Sequence, residues 1–348
     1  GKTFGCCRFL YNQMLNDKIR EYEKTKKMLK NTPAMYKKEY PFLKEVDSLA
    51  LANVQLHLEK AYKNFFREPK IGFPRYKSKH HSRNSYTTNL VNGNILVESK
   101  RIRLPKLKWI AMKKHREPAE DFRLKSVTVS MEPSGKYFAS LLYEGYSCEN
   151  QAAESDYSTA KILGIDYAMQ GMAVFSEKIE TEEAGFFRKN EKRLAREQRK
   201  LSRCVRGSHN YELQKKKVAR CHEKIRNQRR DYLHKLSRKI VDSYDAVAVE
   251  DIDMKAMGQC LHFGKSVHDN GYGMFREMLD YKLAWKGKKI VKVDRFFPSS
   301  KKCCQCGRIK KELKLSERVY HCVCGNEMDR DRNAAINIRE EARRMLIA

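Results

Sequence analysis

Three acidic residues and four cysteines carry the chemistry legible in this chain. Asp166 closes the apolar run KILGID, Glu250 closes AVAVE, and Asp331 lies in DRDRNAAINI, where an acidic pair opens an Ala/Ile-rich helical pattern. Carboxylates at strand ends of one α/β sheet converge at its edge. With no compensating lysine at the same spot, three of them repel one another unless a divalent cation binds. Two Mg²⁺ ions about 4 Å apart would neutralise them, activate a water and stabilise the leaving oxygen of a phosphodiester. Any one of the three reads equally well as a strand-end cap. Jointly they point to a metal-dependent hydrolytic centre.

The cysteines follow the pattern Cys303-x₂-Cys306-x₁₅-Cys322-x-Cys324. This is within a residue of the usual four-cysteine zinc spacing, and four thiolates make a tetrahedral structural Zn²⁺ site closed to substrate. Cys304 and His321 are rival ligands by position, and reduced, unmetallated thiols are the bland alternative. Cys6, Cys7, Cys148, Cys204, Cys221 and Cys260 are scattered and read as small buried apolar residues.

Charge sets the partner class. The 348 residues hold 73 Lys+Arg against 43 Asp+Glu, a net +30, and such an excess suits a polyanion, because each neutralised phosphate releases condensed counterions. No run of eighteen apolar residues and no signal-peptide pattern is present. A membrane role is therefore not expected, and the cysteines are read in a reducing, cytoplasmic setting rather than as a secreted disulfide framework. The chain opens at Gly1, in mid-pattern and without Met, so a preceding N-terminal segment is expected.

The elements that must position these residues come in distinct textures. Residues 1–70 read as helices: Phe9, Leu10, Met14 and Leu15 recur at helical spacing, as do Leu49, Leu51, Val54, Leu56, Leu58 and Tyr62, with Pro33 and Pro41 between them. Lys24, Lys26, Lys27 and Lys30 form a basic face. A basic–aromatic loop follows, in which Arg75, Lys77, Lys79 and Arg83 alternate with Phe73, Tyr76 and Tyr86, offering phosphate contacts and stacking faces for unpaired bases; a charged loop with buried aromatics is the equal alternative. Alternating apolar residues to about 146, with Pro133-Ser134-Gly135 as a hairpin turn, predict a small antiparallel barrel or sheet. The domain of residues 71–150 takes in the loop and these strands, and 151–160 is a polar linker.

From Lys161 an Asp166-bearing hairpin is expected, then a basic helical hairpin over 187–241 broken at Gly207-Ser208. Its inward stripe is Leu194, Leu201, Val218, Ile225, Leu233, Leu236 and Ile240. Arg199, Arg203, Arg206, Lys215, Arg229 and Arg230 lie on its basic outer face. The strand AVAVED, an irregular loop, a helix and the strand KIVKVD complete an alternation that argues a mixed α/β sheet. The fold class is thus multidomain α+β.

The motifs GIDYAMQGMAVFS, RRDYLHKLSRKIV, VAVEDIDMKAM, DNGYGMF and SSKKCCQCG…HCVCG…DRDRNAAINI, with FGCCRFLYNQML at the start, resemble those of the TnpB family. These are transposon-encoded, RNA-guided DNA endonucleases related to the compact type V CRISPR effectors, and the likeness spans essentially the whole chain. The resemblance implies a helical recognition domain (1–70), a wedge-like β-barrel (71–150), and an RNase H-like (RuvC) nuclease domain formed by 161–302 and 327–348. A zinc ribbon (303–326) interrupts that domain. It implies that Asp166, Glu250 and Asp331 hold Mg²⁺, with Asp329 either opening the helix or supporting the ligands from behind. It further implies a guide RNA from the transposon end, a double-stranded DNA target, and a monomer. The chain departs from the family in lacking a short strand upstream of FGCCRF, in its shortened second knuckle, and in reading GIDYAMQG after the first carboxylate where Leu-Gly is more usual. The expected function is RNA-guided DNA cleavage by two-metal hydrolysis. The alternative is a nuclease-silent, RNA-guided or direct DNA-binding accessory of transposition, and a guide-free nuclease or transposase is a weaker third reading.

Overall fold

The structure is a computed structural model describing residues 1–79, 81–118, 120–145, 157–167, 172–179, 186–252, 271–314 and 316–347. The expected linker up to residue 156, the loop 253–270, Cys148 and Cys260 lie outside the described residues. The chain divides into two compact units, Gly1–Tyr146 and Ser147–Ala348.

The first unit opens with three helices, α1 (Lys2–Thr25), α2 (Pro33–Glu39) and α3 (Ser48–Arg67). Asp47 caps α3, its side chain accepting the Leu49 N–H at 3.0 Å, which satisfies one of the orphan donors of a helix start. Leu10, Met14 and Leu15 of α1 and Leu51, Val54, Leu58 and Tyr62 of α3 share one core. Leu56, expected in that stripe, is exposed instead: two residues past Val54 it lies about 200° further round the helix.

Strands β1 (Asn84–Asn89), β5 (Arg123–Met131) and β6 (Tyr137–Glu144) form one antiparallel sheet in the order β1-β5-β6, with Gly135 at positive φ in the β5–β6 turn. Strands β2 (Leu96–Val97), β3 (Arg101–Arg103) and β4 (Trp109–Ala111) form a second. The expected barrel does not close among the described residues. The strands of the second sheet are two or three residues long, too short to carry a ladder from one sheet into the next, and closure needs an unbroken one. The two sheets share a small core instead, in which Ile95, Ile102 and Leu104 meet Val127.

The second unit is built on a mixed four-stranded sheet, order β10-β9-β7-β8. Its strands are β7 (Ile162–Tyr167), β8 (Ala173–Phe175), β9 (Ala246–Glu250) and β10 (Lys289–Val293). β7, β9 and β10 run parallel, and β8 returns as a hairpin on β7. The basic hairpin is present as α4 (Phe186–Ser202) and α5 (His209–Ser243), the latter capped by the Ser208 hydroxyl at 3.1 Å from the Tyr211 N–H. Helices α6 (Tyr272–Trp285) and α7 (Arg330–Ile347) complete the unit, with the two-stranded ribbon β11 (Val319–His321) and β12 (Glu327–Asp329) between them.

Strand alternation sorts the sheet into two faces. Leu163, Ile165, Val247 and Val249 pack with Leu233, Leu236 and Ile240 of α5 and Phe275 and Leu279 of α6. On the opposite face, Ile162, Ala246, Ala248, Val291 and Val293 pack with Ile338 and Ala342 of α7. Gly164 lies on this second face, and a Cβ placed there would stand 2.0 Å from the Ala335 carbonyl oxygen and 2.9 Å from Arg339 Cβ. The helix lies on bare backbone, which only glycine permits. Gly164→Ala is expected to lift α7 from the sheet and cost about 3 kcal/mol or more, the upper end for overpacking, as read from urea denaturation.

Candidate functional site

The same face carries the carboxylates. Asp166 lies two residues beyond Gly164 on β7, hence on the same side, and Glu250 lies two beyond Ala248 on β9. The ladder pairs Ile165 with Val249, so the next step sets Asp166 beside Glu250. α7 runs antiparallel to these strands: Arg343 donates to the Tyr157, Ser158 and Ala160 carbonyls ahead of β7, while Ala335 covers Gly164 further along it. One helical turn before Ala335 is Asp331. A turn rises about 5.4 Å and two strand residues about 6.6 Å, so the backbone geometry carries Asp331 to Asp166.

The electrostatics report this convergence. Burial first, then the negative charges of Glu250 and Asp331, push the Asp166 carboxyl up to about 8. Glu250 is raised by burial against the pull of a Ser299 hydroxyl that donates to it at 3.1 Å. Asp331 has the cationic company that the sequence did not suggest: Arg330 Nε lies at 3.3 Å and Arg318 Nη1 at 3.8 Å. Asp329 accepts the Arg332 backbone N–H at 2.8 Å and so takes the helix-opening part. Tyr272 of α6 is buried with its hydroxyl unpartnered among the described residues, and Arg276 Nη1 likewise lacks a hydrogen bond there. Burial first, then the charges of Asp166, Arg276 and Glu250, bear on the Tyr272 hydroxyl. Half-buried oxygen donors with excess negative charge suit a hard divalent cation, so the residues present fit Mg²⁺.

The four cysteines form the one group of three or more potential ligands close enough for a single ion among the described residues. The carboxylates are not drawn together to that degree, and their mutual repulsion opposes it. Cys303 Sγ lies 3.7 Å from Cys324 Sγ and Cys306 Sγ 3.6 Å from Cys322 Sγ. A Zn–S bond of about 2.3 Å puts tetrahedral sulfurs about 3.8 Å apart, so this set fits zinc. Burial pushes Cys303 up, but hydrogen bonds from the backbone N–H groups of Cys306 and Gln305 and from the Asn326 amide prevail and bring it down to about 6. Cys324 goes the other way, to about 12: the Asn326 N–H favours its thiolate, and burial and the neighbouring sulfurs oppose it more strongly. Four thiolates cannot coexist without a cation to hold them. Cys304 sits outside the set, its sulfur 3.5 Å from Met328 Sδ, and His321 faces Glu327 at 3.5 Å.

Two asparagines join the cysteine cluster to the carboxylates. Asn333 and Asn337, one turn apart and buried on α7, donate to the Lys302 carbonyl at 2.7 and 2.6 Å. Asn333 also accepts the Cys304 N–H at 3.0 Å, and Asn337 donates to the Ser299 carbonyl at 2.8 Å. The sequence reading missed both. Their signal was an i, i+4 pair of Asn in an otherwise small, apolar helix face.

The expected nucleic-acid residues divide by exposure. Phe73, Arg75, Tyr76, Lys79 and Arg83 are exposed, but Tyr86 is 8% exposed in the core of the first unit and offers no face to a base. Lys77 is half-buried, its ammonium 4.0 Å from the Tyr11 ring centroid. On the hairpin, Arg199, Arg203, Arg206, Lys215 and Arg230 are exposed, whereas Arg229 is half-buried beside Gly271. A groove of about 270 Å³ between α4 and α5 is lined instead by Arg193, Lys200, Lys217, Arg220 and Lys224 with Glu197, a basic set not singled out from the sequence. Cys6 and Cys7 are buried as expected, while Cys204 and Cys221 are half-exposed.

A multidomain α+β chain with a carboxylate centre beside a four-cysteine cluster is the class that fold and site define. Family models match residues 145–260 ("Probable transposase", OrfB of IS605), 272–338 ("Cas12f1-like, TNB domain") and 1–27 ("Helix-turn-helix domain"). The last of these covers what is here the single helix α1. The chain is 34% identical to a Streptomyces pristinaespiralis protein named "Putative RNA-guided DNA endonuclease", over 97% of this chain and 84% of that protein. It is 31% identical to Escherichia coli K12 "Putative RNA-guided DNA endonuclease InsQ", over 96% and 86%. A Cas12f1 chain solved with sgRNA and target DNA shares the fold at TM-score 0.59 and 16% identity, over 97% of this chain and 81% of that one. The chain belongs to the TnpB family, the OrfB transposases of IS605 type. No helix among the described residues is long and apolar enough to cross a membrane.

Two outcomes test the centres. Metal analysis is expected to find about one zinc per chain, lost in Cys306→Ser together with protease resistance of the ribbon. Between about pH 4 and 8 the folded state keeps a proton on Asp166 that the unfolded chain has released. Without magnesium, stability therefore falls as pH rises through that window. Asp166→Asn is expected to flatten the slope and add about 1–3 kcal/mol at pH 8, measured by urea denaturation in magnesium-free buffer with the zinc retained.

Proposed function

We propose that this chain is a transposon-encoded RNA-guided DNA endonuclease, a hydrolase with an RNase H-like (RuvC) centre at Asp166, Glu250 and Asp331. The observation that carries the reading is their convergence on one face of the mixed sheet, where Glu250 and Asp331 both raise the Asp166 carboxyl. These three residues would hold Mg²⁺, two ions by the donor set. Bound there, the metal supplies an activated water and neutralises charge on the leaving oxygen of a phosphodiester. The chain itself orients the donors: the Ser299 hydroxyl aims Glu250, Arg330 and Arg318 hold Asp331, and Asp329 starts the helix that presents it. The relatives' names supply guide RNA and DNA as partners, and the +30 charge suits both. The RNA is proposed to come from the transposon end, the target to be double-stranded, and the protein to act as a monomer.

The test uses the protein purified with its co-expressed RNA, a DNA duplex matching that RNA, and Mg²⁺. Cleavage by the intact complex is expected, with Asp166→Ala, Glu250→Ala and Asp331→Ala each slower by roughly a thousandfold or more at unchanged DNA binding. Equal cutting by Asp166→Ala would remove the assignment. Target binding without cleavage under any divalent metal would favour the accessory role. Activity that survives removal of the RNA would favour a guide-free nuclease.

A further inference from the structure

Beside the carboxylates, the chain leaving β10 makes a turn, DRFFPSS, in which two adjacent phenylalanines behave oppositely. Phe297 packs inward on the cluster of Val291, Val293 and Ile338. Phe296 is 86% exposed, the most exposed large apolar side chain among the described residues. Exposed apolar residues are common singly and need no explanation. This one differs in how it is held and where.

The turn is fixed at each step. The Phe296 N–H donates to Asp294 Oδ1 at 2.7 Å, the Phe297 N–H to the Asp294 carbonyl at 3.0 Å, and the Ser299 N–H to the Phe297 carbonyl at 2.7 Å. Phe297 anchors the turn in the core, and Pro298 restricts its backbone. Three residues after Phe296, the Ser299 hydroxyl donates to Glu250, and β10 itself pairs Val293 with Glu250. Both ends of the turn are therefore tied to Glu250, one through backbone pairing and the other at its carboxylate. A ring kept in water on a rigid arch can pair with a planar partner without an ordering cost, and the planar groups of a nucleic-acid strand are its bases. Arg295 beside it, 56% exposed, adds positive charge at the same lip, although it reaches Asp251 at 3.9 Å.

We propose that Phe296 is a stacking platform for an unpaired base of the DNA strand held at the Asp166–Glu250–Asp331 centre. A base in a duplex already has both faces covered, so the platform selects strand that has been opened and sets its backbone against the carboxylates. The inference rests on the nuclease reading for the identity of the strand, but its test reads stacking separately from cutting.

Phe296 is replaced by Ala, Leu, Tyr and Trp in the RNA-bound protein carrying Asp166→Ala, so that no DNA is cut. Affinity is measured for a single-stranded oligothymidylate and for an oligonucleotide of the same length made of abasic sites. Phe296→Ala and Phe296→Leu are expected to bind the base-bearing strand about 5- to 100-fold more weakly, with Tyr and Trp restoring it, and all variants to bind the abasic strand alike. Fluorescence of Phe296→Trp, corrected for Trp109 and Trp285, is expected to be quenched by the base-bearing strand only. With Asp166 restored, Phe296→Leu is expected to raise KM for DNA by the same factor at nearly unchanged kcat. Thermal midpoints should not move, since so exposed a side chain packs against little. Wild-type affinity in Phe296→Leu, or an equal loss on the abasic strand, would overturn the platform and leave the carboxylate assignment standing. Failure of the intact complex to cut, with base-specific quenching intact, would do the reverse.

Discussion

The approach of α7 to β7 at Gly164 is the constraint on which the C-terminal unit depends. Helices usually stand off a sheet by the length of their side chains; here the Ala335 carbonyl sits where a Cβ would be. That contact sets the height of α7 above the sheet, and Arg343, bound to the Tyr157, Ser158 and Ala160 carbonyls, sets its direction. With height and direction given, the first turn of α7 has one place to go, above the ends of β7 and β9. A single missing side chain thus decides where a carboxylate 165 residues further along the chain from Asp166 comes to rest.

The assembled centre is held against its own electrostatics. Bringing Glu250 and Asp331 to a half-buried Asp166 raises that carboxyl far above its ordinary range, which packing on both sheet faces must offset. The arginines help at one corner only, beside Asp331. The imbalance is what a hard cation would relieve. The cysteine cluster answers a parallel problem with a soft donor set and a tighter spacing. Asn333 and Asn337 tie the two together, each hydrogen bond worth about 1 kcal/mol when made and more when broken in a buried site. A disturbance of the ribbon root is thereby a disturbance of α7.

Local patterns made much of this legible. Apolar runs ending in Asp166 and Glu250, the break at Gly207-Ser208 between two basic helices, and the cysteine spacing each depend on residues close in sequence, and each is found as read. The α/β alternation likewise gave a mixed sheet. The barrel expectation failed because alternation reports that a segment is a strand, not that its neighbours are long enough to close a ring. Tyr86 and Lys77 looked like a base-stacking ring and a phosphate contact for a similar reason: composition does not say which side of a loop meets the core. Leu56 missed the stripe of α3 by angle alone.

What the sequence by itself determined is the kind of chemistry: hard oxygen donors at three element ends, soft sulfur donors at one ribbon, and a cationic surface for a polyanion. Side-chain chemistry is a property of residue type and survives any fold. What only the tertiary structure decided is which groups meet. The register of Asp331 over Asp166, the arginines at its side, the asparagine link to the cysteines, and the exposed Phe296 next to the buried Phe297 all depend on contacts between distant segments. Those contacts follow from backbone approach and burial, which no local spacing encodes.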